Sequence, residues 1–138
     1  MTEGLSHLTF IVGDLERMTV LLETVLGARE LYASGDHPFS IAREKFFDVG
    51  GIWVAVLEGD SLPTRTYNHV AFKIADQQYD DCLARVKSLG LDVQEGRPRV
   101  AGEGRSIYFH DHDNHLFELH TGTLAERLAC YAQGKPPA

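Results

Sequence analysis

Three short apolar runs each carry one side chain that an apolar strand rarely holds. Leu5-Ser-His-Leu-Thr-Phe-Ile-Val12 contains His7, Asn68-His-Val-Ala-Phe-Lys-Ile74 contains His69, and His115-Leu-Phe-Glu-Leu-His120 contains Glu118. A lone strand histidine is ordinarily a satisfied core or surface residue, and a lone buried glutamate is ordinarily ion-paired. No one of the three is therefore informative by itself. As a set they are the ligands of an open-sided metal site, since two imidazoles and one carboxylate leave half an octahedron for water and substrate. This mixed nitrogen and oxygen set suits Mn²⁺, Fe²⁺ or Zn²⁺ without deciding among them. Asp111-His-Asp-Asn-His115 competes as a metal candidate, although Asp and Asn between two strands are also what a tight turn requires. His120 shares a strand face with Glu118 by parity; it either braces that ligand or is an ordinary strand-end histidine.

The elements that would position these groups follow from periodicity. Residues 5 to 12 alternate as a half-buried strand does, which puts His7 and Thr9 on one face. Asp14 is placed to cap a helix whose apolar residues Leu15, Met18, Leu21, Leu22, Val25 and Leu26 recur at spacings of three and four, and Gly27 supplies its stop. Then come Arg29-Glu-Leu-Tyr32, a turn-rich loop Ala33-Ser-Gly-Asp-His-Pro38, a strand within residues 40–49 with Glu44 on or beside it, and the strand Ile52-Trp-Val-Ala-Val-Leu57. Gly59 to Thr66 reads as a linker.

The second half repeats this order: a strand from Asn68 to Ile74, a helix capped by Asp76 with Tyr79, Cys82, Leu83, Val86 and Leu89 on one side, Gly90, and further strands. His7 matches His69, Asp14 matches Asp76, Gly27 matches Gly90, and Ile52-Trp-Val-Ala matches His115-Leu-Phe-Glu at a nearly constant offset, as an internal duplication produces. Each unit reads βαβββ, an α+β pattern, with module 1 over about 4–60, module 2 over about 66–121 and a terminal helix over about 123–133. Glu118 aligns with Ala55, so one unit brings a histidine and the other a histidine and a glutamate. The terminal helix opens with the capping box Thr123-Leu-Ala-Glu126 and carries Leu124, Leu128 and Tyr131 on one side, before the Gly134-Lys-Pro-Pro end.

A chain of 138 residues suits one domain, 1–138. Its formal charge of −7 disfavours nucleic acid, while Arg97, Arg99 and Arg105 could still hold a small anion. No run of eighteen apolar residues occurs, and Glu3, Asp14, Glu16 and Arg17 stand where a secretory signal needs a basic start and an apolar core, so a cytoplasmic protein is expected. Cys82 and Cys130 sit in helical patterns, as reduced, packed thiols do. No phosphate loop, dinucleotide fingerprint or nucleophile elbow is present.

The paired βαβββ units, the His7, His69 and Glu118 positions and Ile107-Tyr-Phe-His-Asp-His-Asp-Asn-His-Leu-Phe-Glu resemble the vicinal oxygen chelate superfamily, which includes glyoxalases, bleomycin-resistance proteins and dioxygenases. Gly4-Leu-Ser-His-Leu-Thr-Phe, Gly51-Ile-Trp-Val, Tyr67-Asn-His-Val-Ala-Phe, Ser106-Ile-Tyr-Phe and Leu119-His-Thr-Gly-Thr-Leu-Ala-Glu-Arg127 resemble, more closely, its fosfomycin-resistance proteins. That resemblance implies a cup-shaped, glyoxalase-like barrel, modules exchanged between the chains of a homodimer, and metal sites shared by those chains. Members open the epoxide of fosfomycin with glutathione, with another thiol, or with water. In the water-using, FosX-type branch a glutamate two residues before the aromatic of the third strand serves as general base, and here Glu44 precedes Phe46 by two.

The resemblance thus implies an epoxide hydrolase with Mn²⁺ on His7, His69 and Glu118 and with Glu44 as base. Thr9, Ser106, Tyr108 and Arg127 match substrate contacts, Arg99 is added as a further phosphonate donor, and Phe46 and Trp53 wall the pocket. No potassium site is expected, because Arg97-Pro-Arg-Val-Ala-Gly-Glu-Gly104 has Pro98, Val100, Ala101 and Gly102 where polar ligands would be wanted. The rivals are a thiol transferase acting on the same epoxide, a non-catalytic drug-binding protein, and an Fe²⁺ ring-cleaving dioxygenase.

Overall fold

The computed structural model describes residues 1–37 and 39–134. Pro38 of the turn-rich loop and the Lys-Pro-Pro end, residues 135–138, lie outside the described residues. The chain forms two compact units, Met1–Arg65 with Asp111–His115, and Thr66–His110 with the chain from Leu116 onward. The first contains β1 (His7–Val12), α1 (Leu15–Leu26), β2 (Arg29–Ala33), β3 (Glu44–Val49) and β4 (Ile52–Glu58). The second contains β5 (His69–Lys73), α2 (Tyr79–Ser88), β6 (Asp92–Gln94), β7 (Ser106–His110), β8 (Leu116–His120) and α3 (Leu124–Ala132). Both follow the expected βαβββ order, and among the described residues no helix is long and apolar enough to cross a membrane.

In the first unit the sheet runs β1-β4-β3-β2, with β1 parallel to β4 and the other pairs antiparallel. Asp14 caps α1 by accepting the Arg17 N–H at 3.0 Å, and Gly27 ends it in the left-handed region at φ 64°. The helix buries Leu15, Met18, Leu21, Leu22 and Val25 and packs on β3 and β4, where Phe47, Val49, Val54 and Val56 are also buried. Strand register assigns the other face. His7 pairs with Trp53, Thr9 with Ala55, Phe46 with Ala55 and Glu44 with Leu57, so His7, Thr9, Glu44, Phe46 and Trp53 share the side away from α1.

The second unit repeats this as β5-β8-β7-β6. Ala71 pairs with Glu118 where Thr9 pairs with Ala55, which bears out the expected match of Glu118 to Ala55. Phe72, Phe109 and Phe117 stack on the α2 side. His69, Glu118, His120, Ser106 and Tyr108 share the helix-free face by register.

Three local expectations need correction. Asp76 caps no helix: it opens a 3₁₀ turn, and its carboxylate goes to Arg105 at 3.0 Å, leaving Gln78 at the start of α2 without a side-chain cap. The strand expected within 40–49 starts only at Glu44, where the ladder to Leu57 of β4 begins. Leu124, Leu128 and Tyr131 do align on α3 but are exposed, Leu124 at 72%, and the buried residue of that helix is Cys130. Thr123 caps α3 as expected by accepting the Glu126 N–H, and both cysteines are free and buried.

The turn before α3 lies hard against the 97–104 loop. A Cβ added at Gly122 would sit 2.4 Å from the Glu103 carbonyl oxygen, a distance only backbone movement relieves. Gly122→Ala should therefore destabilise the protein by about 1–3 kcal/mol, read as a lower urea midpoint at unchanged m-value.

Candidate functional site

Two of the three expected metal ligands meet in the second unit. His69 Nε2 lies 3.0 Å from Glu118 Oε1, on adjacent strands. The Nδ1 of His69 is 2.7 Å from the Tyr67 carbonyl oxygen, so Nδ1 carries a proton, and Nε2 faces the carboxylate. A ligand histidine braced through its other nitrogen by a backbone carbonyl is the usual form of a metal site. The donor set fits a divalent ion.

Glu118 is buried, with 6% of its side chain exposed. Burial alone would push its pKa up, yet hydrogen bonds from Ser106 and Tyr108 and the nearby His120 and His69 hold it below the ordinary carboxylate value. Burial and the Arg127 and Arg99 charges keep the His120 pKa low against the opposing pull of Glu118. A neutral His120 completes a directed chain. Arg127 Nη2 faces His120 Nε2 at 3.5 Å, His120 Nδ1 meets Ser106 Oγ at 2.7 Å, and Ser106 Oγ donates to Glu118 Oε2 at 2.5 Å. Every link points a proton toward Glu118. A cavity of about 290 Å³ opens here, with His69, Glu118, His120 and Arg127 in its wall.

The arginines divide differently from the expected anion cluster. Arg105 is taken by Asp76, and Arg97 by Glu103, Tyr131 and the Pro98 carbonyl. Arg99 alone of the three reaches the site, donating from Nη2 to Ser106 Oγ at 2.8 Å and to Tyr108 Oη at 3.0 Å. The centre of the group is Glu103, which is fully buried and which sequence reasoning missed. It pairs with Arg97, with Arg99 Nη1 at 3.4 Å and with Arg127 Nε at 3.5 Å, and accepts from Tyr131 and the Val100 N–H. An acidic residue between two glycines, flanked by three arginines, was the available signal.

In the first unit, His7 stacks on Trp53 with ring centroids 4.2 Å apart, and Phe46 meets Trp53 edge-on at 5.2 Å. Trp53 is 40% exposed, so it is not a core residue. Thr9 is exposed beside them on β1. Glu44 is 7% exposed, so it is no surface charge. Its backbone is pinned by Ser34, whose Oγ accepts the Glu44 N–H at 2.9 Å, while among the described residues no hydrogen bond or ion pair engages its carboxylate. Among the described residues no three His, Cys, Asp or Glu side chains gather into a metal-binding group. The competing turn has its carboxylates committed: Asp111 accepts the Asp113 and His115 N–H groups, and Asp113 accepts the Gly13 N–H and the Ser61 hydroxyl.

Residues 4–119 match the family model of the Glyoxalase/Bleomycin resistance protein/Dioxygenase superfamily. The chain belongs to this superfamily, within its fosfomycin-resistance group. The fosfomycin resistance protein FosX of Mesorhizobium japonicum is 63% identical over 97% of this chain and 96% of its own length. A solved structure of FosX from Listeria monocytogenes, a point mutant complexed with Mn(II) and 1S,2S-dihydroxypropylphosphonic acid, is 52% identical, covers 95% of this chain and 99% of that one, and has a TM-score of 0.87. The metallothiol transferase FosB of Staphylococcus epidermidis is 34% identical over 99% of this chain and 96% of its own length. The glyoxalase-type fold of this superfamily member is thus shown by sequence and structure together.

Hydrogen bonds from Arg97, the largest cause, and from the Val100 N–H and the Tyr131 hydroxyl hold the Glu103 carboxyl well below its ordinary range, at about 2, against the opposing effect of burial. A depressed carboxyl pKa stabilises the fold fully above the unfolded value, near 4.5, and that stability is lost as pH falls toward about 2. Glu103→Gln should cost about 3 kcal/mol at neutral pH, as removal of one member of a buried ionic group does. The stability difference between wild type and variant should close as pH falls through that window, measured by chemical denaturation at each pH.

Proposed function

We propose that the protein is a Mn(II)-dependent hydrolase that adds water to the epoxide of fosfomycin and so confers resistance to it. The observation that carries this reading is Glu44, a largely covered residue whose carboxylate has no partner among the described residues, on the same sheet face as His7, Thr9, Phe46 and Trp53. Water is a poor nucleophile at neutral pH and needs a base at hydrogen-bond distance, whereas an ionised thiol needs none. The likeness supports water too: the FosX relatives are far closer than FosB, and the diol phosphonate bound to the Listeria protein has the structure that water addition to this epoxide gives.

His7, His69 and Glu118 would hold the metal, which when bound supplies Lewis acidity that polarises the ring C–O bond. Glu44 takes the proton of the attacking water. Arg99, Arg127 and Thr9 donate hydrogen bonds to the phosphonate, Ser106 and Tyr108 flank it while their hydroxyl protons go to Glu118, and Phe46 and Trp53 keep bulk water from the ring. The 97–104 loop supports a site without potassium, since its buried Glu103 carboxylate is already occupied by arginine, tyrosine and backbone donors.

Glu44→Gln keeps the size of the side chain and removes its basic oxygen. Mn(II) and fosfomycin should still bind while hydration, followed by phosphorus NMR without thiol, slows by about 10²- to 10⁴-fold. Wild-type-like hydration in the variant, or consumption of the drug only with an added thiol, would move the assignment to a transferase. An unchanged phosphorus spectrum with wild type would move it to a drug-binding protein.

His7 belongs to one unit and the His69–Glu118 pair to the other, and we infer a homodimer in which each site joins the first unit of one chain to the second unit of its partner. Inactive His7→Ala chains mixed with inactive Glu118→Ala chains should then regain part of the wild-type rate, since one site of the mixed dimer is intact. No recovery after demonstrated chain exchange would place the ligands within one chain.

A further inference from the structure

We infer that Glu103 is a positioning residue for the bound anion: it holds one nitrogen each of Arg99 and Arg127, and so fixes where the rest of each guanidinium lies beside the substrate phosphonate. This rests on the proposed function and deepens it. The geometry separates the two ends of each guanidinium. Arg99 gives Nη1 to Glu103 Oε1 and Nη2 to Ser106 Oγ and Tyr108 Oη. Arg127 gives Nε to the same Oε1 and turns Nη2 to His120 Nε2 in the cavity wall. The two arginines come from separate elements, the 97–104 loop and α3, and Glu103 Oε1 is the atom that touches both. Arg97 and Tyr131 complete its coordination.

Charge alone argues against this placement, which is what makes the residue informative. A buried carboxylate beside an anion site repels the anion, and removing it should tighten binding if electrostatics were its only effect. With Arg97, Arg99 and Arg127 around it, two formal positive charges remain for a dianionic phosphonate. A guanidinium is a planar fork, and fixing one edge orients the other, so the ordering is complete before substrate arrives. Both arginines are substantially covered, with side-chain exposures of 18% and 34%.

The test compares Glu103→Gln with Tyr131→Phe and wild type, each loaded with Mn(II). Loss of aim should raise KM for fosfomycin about tenfold in Glu103→Gln with kcat changed by less than about threefold, the pattern of lost uniform binding. The dissociation constant of methylphosphonate, titrated by calorimetry, should rise by a similar factor while Mn(II) affinity stays put. Tyr131→Phe removes a neutral contact to the same carboxylate and should leave both constants within about twofold. Unchanged or tighter methylphosphonate binding in Glu103→Gln overturns the inference, and so does an equal KM rise in Tyr131→Phe. If Glu103→Gln does not fold, Glu103→Asp carries the test, because withdrawing the carboxylate by one methylene should also raise KM and the methylphosphonate constant. Wild type that leaves fosfomycin unchanged while methylphosphonate binding responds as stated overturns the functional reading and keeps the positioning role.

Discussion

An ionised carboxylate inside an apolar strand is expensive, and the second unit is arranged around keeping one there. Glu118 sits between Phe117 and Leu119, both fully buried, and survives as an anion because donors converge on it from three directions. Ser106 and Tyr108 reach it from the neighbouring β7, His69 from β5, and Arg99 from the loop beyond. Desolvation of the charge is offset only while all of them are in place. The same arrangement that makes the anion tolerable fixes its lone pairs and leaves little water to compete for them.

The duplicated fold supplies this economically. Both units use a parallel outer pair and two antiparallel pairs, with a helix covering one face, so the other face of each sheet is left for chemistry. Register then assigns roles by parity. In the first unit the α1 side is filled by Phe47, Val54 and Val56, whereas the opposite side shows His7, Thr9, Glu44, Phe46 and Trp53. The second unit does the same with its phenylalanines on one side and its imidazoles, carboxylate and hydroxyls on the other. Ala55 stands where Glu118 stands in the other unit, and the two helix-free faces carry different groups: His7, Glu44, Phe46 and Trp53 in the first, His69, Glu118 and Ser106 in the second.

The two buried glutamates outside the ligand set show how differently a carboxylate can be used. Glu103 is saturated, held by three guanidinium groups, a phenol and a backbone N–H, so it is fixed in place and cannot accept a proton at working pH. Glu44 is also largely covered, at 7% exposure against 0% for Glu103, but among the described residues nothing holds its oxygens. A saturated carboxylate orders its neighbours, and a free one is available as a base.

The sequence by itself determined the βαβββ duplication, the ends of α1, the faces of the strands and the identity of the groups on the helix-free sides, because these depend on period-two and helical spacing and on capping residues within a few positions of one another. His69 and Glu118 were legible as a pair for the same reason. What only the tertiary structure decided was who partners whom across longer separations. Asp76 looked like a helix cap and is an ion-pair partner of Arg105, 29 positions away. Arg97, Arg99 and Arg105 looked like one anion site and are three side chains with three different assignments. Glu103 looked like a loop residue and is the most enclosed charge in the second unit, since only the approach of α3 and of the Gly122 turn brings Arg127 and Tyr131 to it. Local pattern fixes the direction in which a side chain leaves the backbone; which charge it meets there depends on how loop and helix close over the sheet.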